Sequence, residues 1–326
     1  MVVLHLLPAF IVAVVVLIAP AAAAVRAPET TARLLAVDCE RLGEGTDRAW
    51  MESMPAPRIL NLHGSVPIIT MAPFAQFLIA MGYPEASLRA PGDGALTLSG
   101  FTNSEVLAGT VAWYYEHDGV RPMLIGHSQG GMRVIRTLYE LTGEFHAQIA
   151  VFDPVAGAPQ PRTAIDDPVT GARQPVVGLK VPFAAVLATG QLARVLLGQW
   201  DMIPRLRRLP DSAEAFTGFA IPWDPLAGTG PSPEPYVATG SAAVRNVVLP
   251  ATYSHIGLPA TEHLPGQPLT RAWIEAYRPD AALSALPSGP DVDARNLIHA
   301  ADLWYSIRQH WCREGQRLLR AQGKVS

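Results

Sequence analysis

The chain has 326 residues, 49% hydrophobic and 16% charged, with a net charge of −3 and no basic cluster beyond Arg205, Arg207 and Arg208. That composition allows a large core in a single domain. It lacks the basic surface that nucleic-acid binding needs, so no nucleic-acid partner is expected.

Residues 1–25 carry no Asp, Glu, Lys or Arg, and 6–19 are almost wholly apolar before Pro20 and an alanine run over 21–24. This pattern predicts an export signal over 1–24 with cleavage near Ala24, leaving 25–326 as one domain. The leading residues lack Lys and Arg, while Arg26 and Arg33 lie on the far side. A membrane anchor formed by 1–25 is therefore the alternative.

Residues 26–57 are a mixed lead-in. A strand is predicted over 58–62, ending in His63-Gly64-Ser65. A helix follows over 70–81, with Phe74, Phe77, Leu78 and Met81 on one face. A weaker strand is expected over 86–90 and a loop over 91–102. Asn103 or Ser104 can cap a helix reaching about 117, with Glu105 in its first turn. An apolar strand over 123–125 then meets Gly126-His127-Ser128-Gln129-Gly130 and an amphipathic helix. The next strand is expected over 148–153. The alternation breaks over about 160–217, where 183–197 follows a helical apolar pattern and 203–216 ends in a short helix. Strands are predicted over 219–222 and 245–249, a linker over 280–291, and a long helix over about 296–320. The fold class is α/β, a mostly parallel doubly wound sheet of about six strands.

The chemistry centres on the Gly-x-Ser-x-Gly stretch, which sits between a strand and a helix. A nucleophilic serine must project from a sharp turn, and Gly126 and Gly130 lack the side chains that would collide across it. The helix that follows directs free N–H groups and its positive dipole end toward developing negative charge. Gly-His-Ser-Gln-Gly, with the upstream strand ending in His63-Gly64, resembles the secreted lipases and esterases of the α/β-hydrolase superfamily, over roughly 56–265.

That resemblance implies the order serine, acid, histidine along the chain, and an insertion over 160–217 acting as a cap or lid. Downstream of Ser128 the histidines are His255, His263, His299 and His310. His255 lies in a loop just past the last predicted strand and is the expected base; His263 is second. His299 and His310 fall in the terminal helix. Asp224 ends the strand before that of His255 and is the expected acid. Asp153 is the rival, placed where pancreatic-type lipases carry their acid, and Asp201 is third. The oxyanion hole is expected from the N–H groups of Gln129 and Ser65.

The resemblance thus implies a secreted serine ester hydrolase acting on acyl ester or lipid substrates, with transient contact at a lipid interface and no cofactor. Amidase, thioesterase, polyester depolymerase and acyltransferase chemistry could use the same residues. A non-catalytic binding protein on the same scaffold is the alternative outside the enzymes. Two cysteines, Cys39 and Cys312, lie near opposite ends of the chain and can form one disulfide in an exported protein, the alternative being two free thiols. No Cys-x-x-Cys or His-Glu-x-x-His occurs, so no metal site is signalled.

Overall fold

The computed structural model describes residues 28–42, 50, 53–281 and 285–325; the expected signal segment, 1–24, lies outside them. The described residues form a mixed α/β structure around one parallel sheet of five strands, where about six were expected. Its strands are β1 (Ile59–Leu62), β2 (Met123–His127), β3 (Val181–Leu187), β4 (Ala213–Ala220) and β5 (Ala243–Val248). They lie side by side in chain order, every pair parallel. Beyond β1 there is only an isolated bridge, Leu62 to Leu98.

Side chains alternate across the sheet, and both faces are covered. Leu60, Leu62, Leu124, Ala184, Val186 and Phe216 pack on one side. There they meet helices α3 (Ser104–Asp118) and α4 (Gln129–Leu141). Ile59, Met123, Ile125, Phe183, Ala185 and Phe219 pack on the other. That side holds helices α2 (Ala72–Ala80), α6 (Pro268–Ala276) and α7 (Leu297–Val325). Helix α3 starts where the sequence indicates: the Asn103 side chain accepts from the N–H of Glu105 at 3.0 Å.

Five sequence expectations within the chain are corrected. The strand over 86–90 is absent; Glu85–Ser87 is a 3-10 turn. The strand over 148–153 does not join the sheet, and only Phe152–Asp153 pairs, antiparallel, with Ala158–Pro159. The place beside β2 is taken by β3, whose seven residues are all buried. The first third of the expected helix over 183–197, residues 183–187, is therefore strand. A continuous apolar run is what a central parallel strand presents, and periodicity alone cannot separate it from a buried helix. Only α5 (Leu192–Leu196) is helical there. The short helix at the end of 203–216 is likewise the start of β4. The stretch 160–217 thus supplies two core strands and is not one helical insertion. Between those strands lie α5 and the 3-10 turn Trp200–Met202.

The N-terminal arm, which carries helix α1 (Pro28–Leu35), is fastened to α7. Cys39 and Cys312 form a disulfide, their Cα atoms 5.6 Å apart. Gln316 donates to the carbonyls of Leu34 and Val37 at 3.2 and 2.8 Å. Trp311 packs edge-on against Trp50 and Tyr83. A native disulfide typically contributes about 2–4 kcal/mol, mainly by restricting the unfolded chain. Among the described residues, no helix is long and apolar enough to cross a membrane.

Three buried histidines make this fold acid-sensitive. Burial pushes His127 down to about 3, His299 to about 4 and His310 to about 3. In the unfolded chain each takes a proton near 6.5, so the folded state binds fewer protons below that pH. The stabilisation is complete above about 6.5 and is lost as pH falls toward 4, at up to about 1.4 kcal/mol per pH unit for each histidine. Thermal unfolding midpoints should be level from pH 9 to 7 and fall steeply from 6.5 to 5. A level midpoint across that lower range would contradict the neutral burial of these rings.

Candidate active site

Every side chain of the candidate site leaves the sheet at its carboxyl edge. Ser128 directly follows β2 and precedes α4, with φ 53° and ψ −113°. The turn is held by Ser128 N–H donating to Leu187 O at 2.8 Å. A Cβ at Gly126 would run into the backbone of Gly130, and one at Gly130 would run into Leu62 O and His63 O. Only glycine at both positions lets the serine stand clear of the sheet.

His255 lies beyond β5. Its Nε2 is 3.0 Å from Ser128 Oγ, and its Nδ1 is 2.6 Å from Asp224 Oδ2. Asp224 follows β4 and is buried. Burial pushes its carboxyl up, but the His255 hydrogen bond and charge, with the N–H groups of Ala227 and Leu226, hold it below its ordinary value. Those two N–H groups reach Oδ1 at 3.1 and 2.9 Å. An ionised carboxylate only accepts, so His255 Nδ1 carries a proton, and in the neutral ring Nε2 presents its lone pair to the serine hydroxyl.

The other candidates stand elsewhere. Asp153 Oδ1 accepts from the N–H groups of Val155 and Ala156 at 2.8 and 3.0 Å, which hold its carboxyl low. Asp201 pairs with Arg136. His263 lies 3.7 Å from Asp293, His299 bonds Leu258 O at 2.8 Å, and His310 stacks on Phe183. None of these meets His255.

Gln129 is the first residue of α4, so its N–H has no acceptor within the helix. Ser65 lines the same cleft as Ser128 and His255. That cleft, of about 250 Å³, has walls that include Val66, Ile69, Leu192, Leu196, Leu226 and Ile256, and among the described residues no aspartate, glutamate, lysine or arginine lines it. A larger cavity of about 420 Å³, lined by Arg58, Leu88, Tyr114 and Phe152, includes none of these residues. An acceptor-terminated imidazole on a serine, beside an N–H group at a helix start and an apolar cleft, can perform acyl transfer.

The sequence did not single out three supporting residues. His127 Nε2–H donates to His255 O at 2.8 Å, tying the loop of the histidine to the serine turn. Asn296 donates to Gly257 O and Ala260 O at 2.7 and 2.8 Å and steadies the same loop. Arg194 is fully buried against Gln129. Among the described residues, the non-glycine residues with positive φ are Ser128, Ala188, Trp223 and Asn296. Ser128 is in the site, Trp223 precedes Asp224, Ala188 follows β3, and Asn296 braces the histidine loop. Backbone strain is thus gathered around one place.

No protein-family model matches the chain, and no curated protein matches it. A solved structure described as "RedJ with PEG molecule bound in the active site" is similar over 66% of this chain and 91% of its own length. Identity is 17% and the TM-score 0.31, a level of similarity that does not establish a shared fold.

Proposed function

We propose that the protein is an exported serine hydrolase of carboxylic esters, of the α/β-hydrolase type. The observation that carries this reading is the unbroken chain from Asp224 through His255 to Ser128, with donor and acceptor roles fixed by the carboxylate. Ser128 Oγ attacks the acyl carbon as His255 Nε2 takes its proton. The carbonyl oxygen becomes an oxyanion held by the N–H groups of Gln129 and Ser65. His255 returns the proton to the departing alcohol, leaving an acyl-serine. Water, deprotonated by His255, then releases the acid.

The apolar, uncharged walls of the cleft support an apolar acyl group on a neutral ester. Its rim exposes Val66, Leu196, Leu197, Leu226 and Ile256, with Ile68 nearby in the chain, which supports contact with a lipid surface. The disulfide supports an oxidising compartment, in keeping with an export signal over 1–24. A fluorophosphonate probe should label Ser128, and p-nitrophenyl esters from C2 to C16 should be cleaved faster than the matching amides. Absence of labelling in folded protein would overturn the reading and favour a binding function. Faster amide cleavage would move the activity to the amidases.

A further inference from the structure

The segment around α5 is inside out. Leu192, Val195, Leu196, Leu197 and Trp200 are exposed, while Arg194 is 0% exposed. Among the described side chains of 191–200, Arg194 is the one buried residue. A short helix normally turns its apolar residues inward. Here a guanidinium is inward and the apolar residues face the cleft and solvent.

Arg194 forms no ion pair among the described residues. Its Nη1 donates to the side-chain oxygens of Gln129 and Gln199, and its Nε to Gly190 O at 3.3 Å. Nη2 has no partner. Burying a guanidinium without a carboxylate is costly, and a Met or Leu would fill the position at far lower cost. Burial and the neighbouring charge of Arg133 bring the group down to about 10, so it remains a cation at neutral pH. The nearby Tyr236 hydroxyl acts in the opposite direction. This uncompensated charge sits on the side chain of the residue whose N–H opens α4, next to Ser128. It adds to the positive end of that helix where an oxyanion would form. Gly190 fixes the base of the segment, since a Cβ there would strike the backbone of Ala227 beside the Asp224 turn.

We infer that Arg194 is a positioning residue for the oxyanion site: it clamps the Gln129 side chain, ties the α5 segment to the serine turn, and places a buried cation behind the developing charge. The inference rests on the serine-hydrolase reading above. Its test uses the purified full chain, a soluble p-nitrophenyl ester, and an arylboronic acid, whose tetrahedral serine adduct carries the charge of the intermediate. The variants are Arg194→Met, Gln129→Leu, which keeps the backbone N–H, and the double variant. Each single variant should lower kcat about 10-fold or more, leave KM within about 2-fold, and raise the boronic acid Ki by the same factor as kcat falls. The double should be no worse than the poorer single by more than about 3-fold, because both break one contact.

A single variant that folds and keeps kcat within about 2-fold overturns the inference. So does a double whose loss is the product of the singles, or a loss of thermal stability with kcat and Ki unmoved. If Arg194→Met does not fold, Gln129→Leu decides alone by the same kcat and Ki criteria. A parent protein that neither hydrolyses esters nor takes the fluorophosphonate label removes the serine-hydrolase reading itself. A parent that does both, with unaffected variants, removes only the role of Arg194.

Discussion

Ser128→Ala should abolish ester hydrolysis, lowering kcat/KM by about 10⁴-fold or more, while leaving the fold intact. The lost oxygen makes one hydrogen bond, to His255 Nε2. The turn itself is held by backbone: Ser128 N–H to Leu187 O, and Thr189 Oγ1–H to Ser128 O at 3.1 Å. Alanine retains both. The strained φ of 53° is already borne by a residue with a Cβ, so alanine adds no new conformational cost. Thermal unfolding should therefore shift little. Hydrolysis and fluorophosphonate labelling should both disappear, whereas a variant keeping a tenth of the activity would mean that another group attacks the acyl carbon.

The legible part of this structure was the part with local punctuation. Gly126, Gly130 and the apolar run before them specify a strand, a strained turn and a helix within a few residues, and that unit stands as expected. Asn103 announced its helix because a cap acts on the next two residues. Cys39 and Cys312 were visible as the two cysteines available to pair. What failed was the region where nothing local distinguishes alternatives. Val181–Leu187 is apolar at every position because helices or loops cover both faces, and such a run fits a helix equally well until its neighbours are known. With that stretch taken as helix, the strand beginning at Ala213 is displaced, and the expected cap or lid over 160–217 takes in residues that belong to the sheet. Arg194 was illegible for a different reason. An arginine in a short apolar helix reads as its solvent face, and only the packed structure turns it inward. The histidine was reachable from chain order, since His255 follows the last strand. Its support by His127 and Asn296 was not, because those contacts span 128 and 39 residues.

Asp224→Asn should fold normally and lower turnover by up to about 10⁴-fold, while Asp153→Asn costs far less. The carboxylate of Asp224 has two separate tasks. Oδ1 accepts from the N–H groups of Leu226 and Ala227 and shapes the turn after β4. Oδ2 accepts from His255 Nδ1 at 2.6 Å. Asparagine can keep the first task with its amide oxygen. Its NH₂ then faces His255, and a donor there demands a lone pair on Nδ1. The imidazole proton moves to Nε2, which points a hydrogen at Ser128 Oγ where a base is needed. Burial makes the defect durable, since Asp224 is 3% exposed and water cannot readily replace the missing acceptor. Asp153 lies on the hairpin beside α3, and its contacts are the N–H groups of its own turn and the Gln160 side chain, none of them at His255. Steady-state turnover of the two folded variants on one ester is the measurement. A larger loss in Asp153→Asn than in Asp224→Asn would detach the acid role from the contact seen at His255. The expected ranking would make the 2.6 Å contact the reason His255 can act as a base.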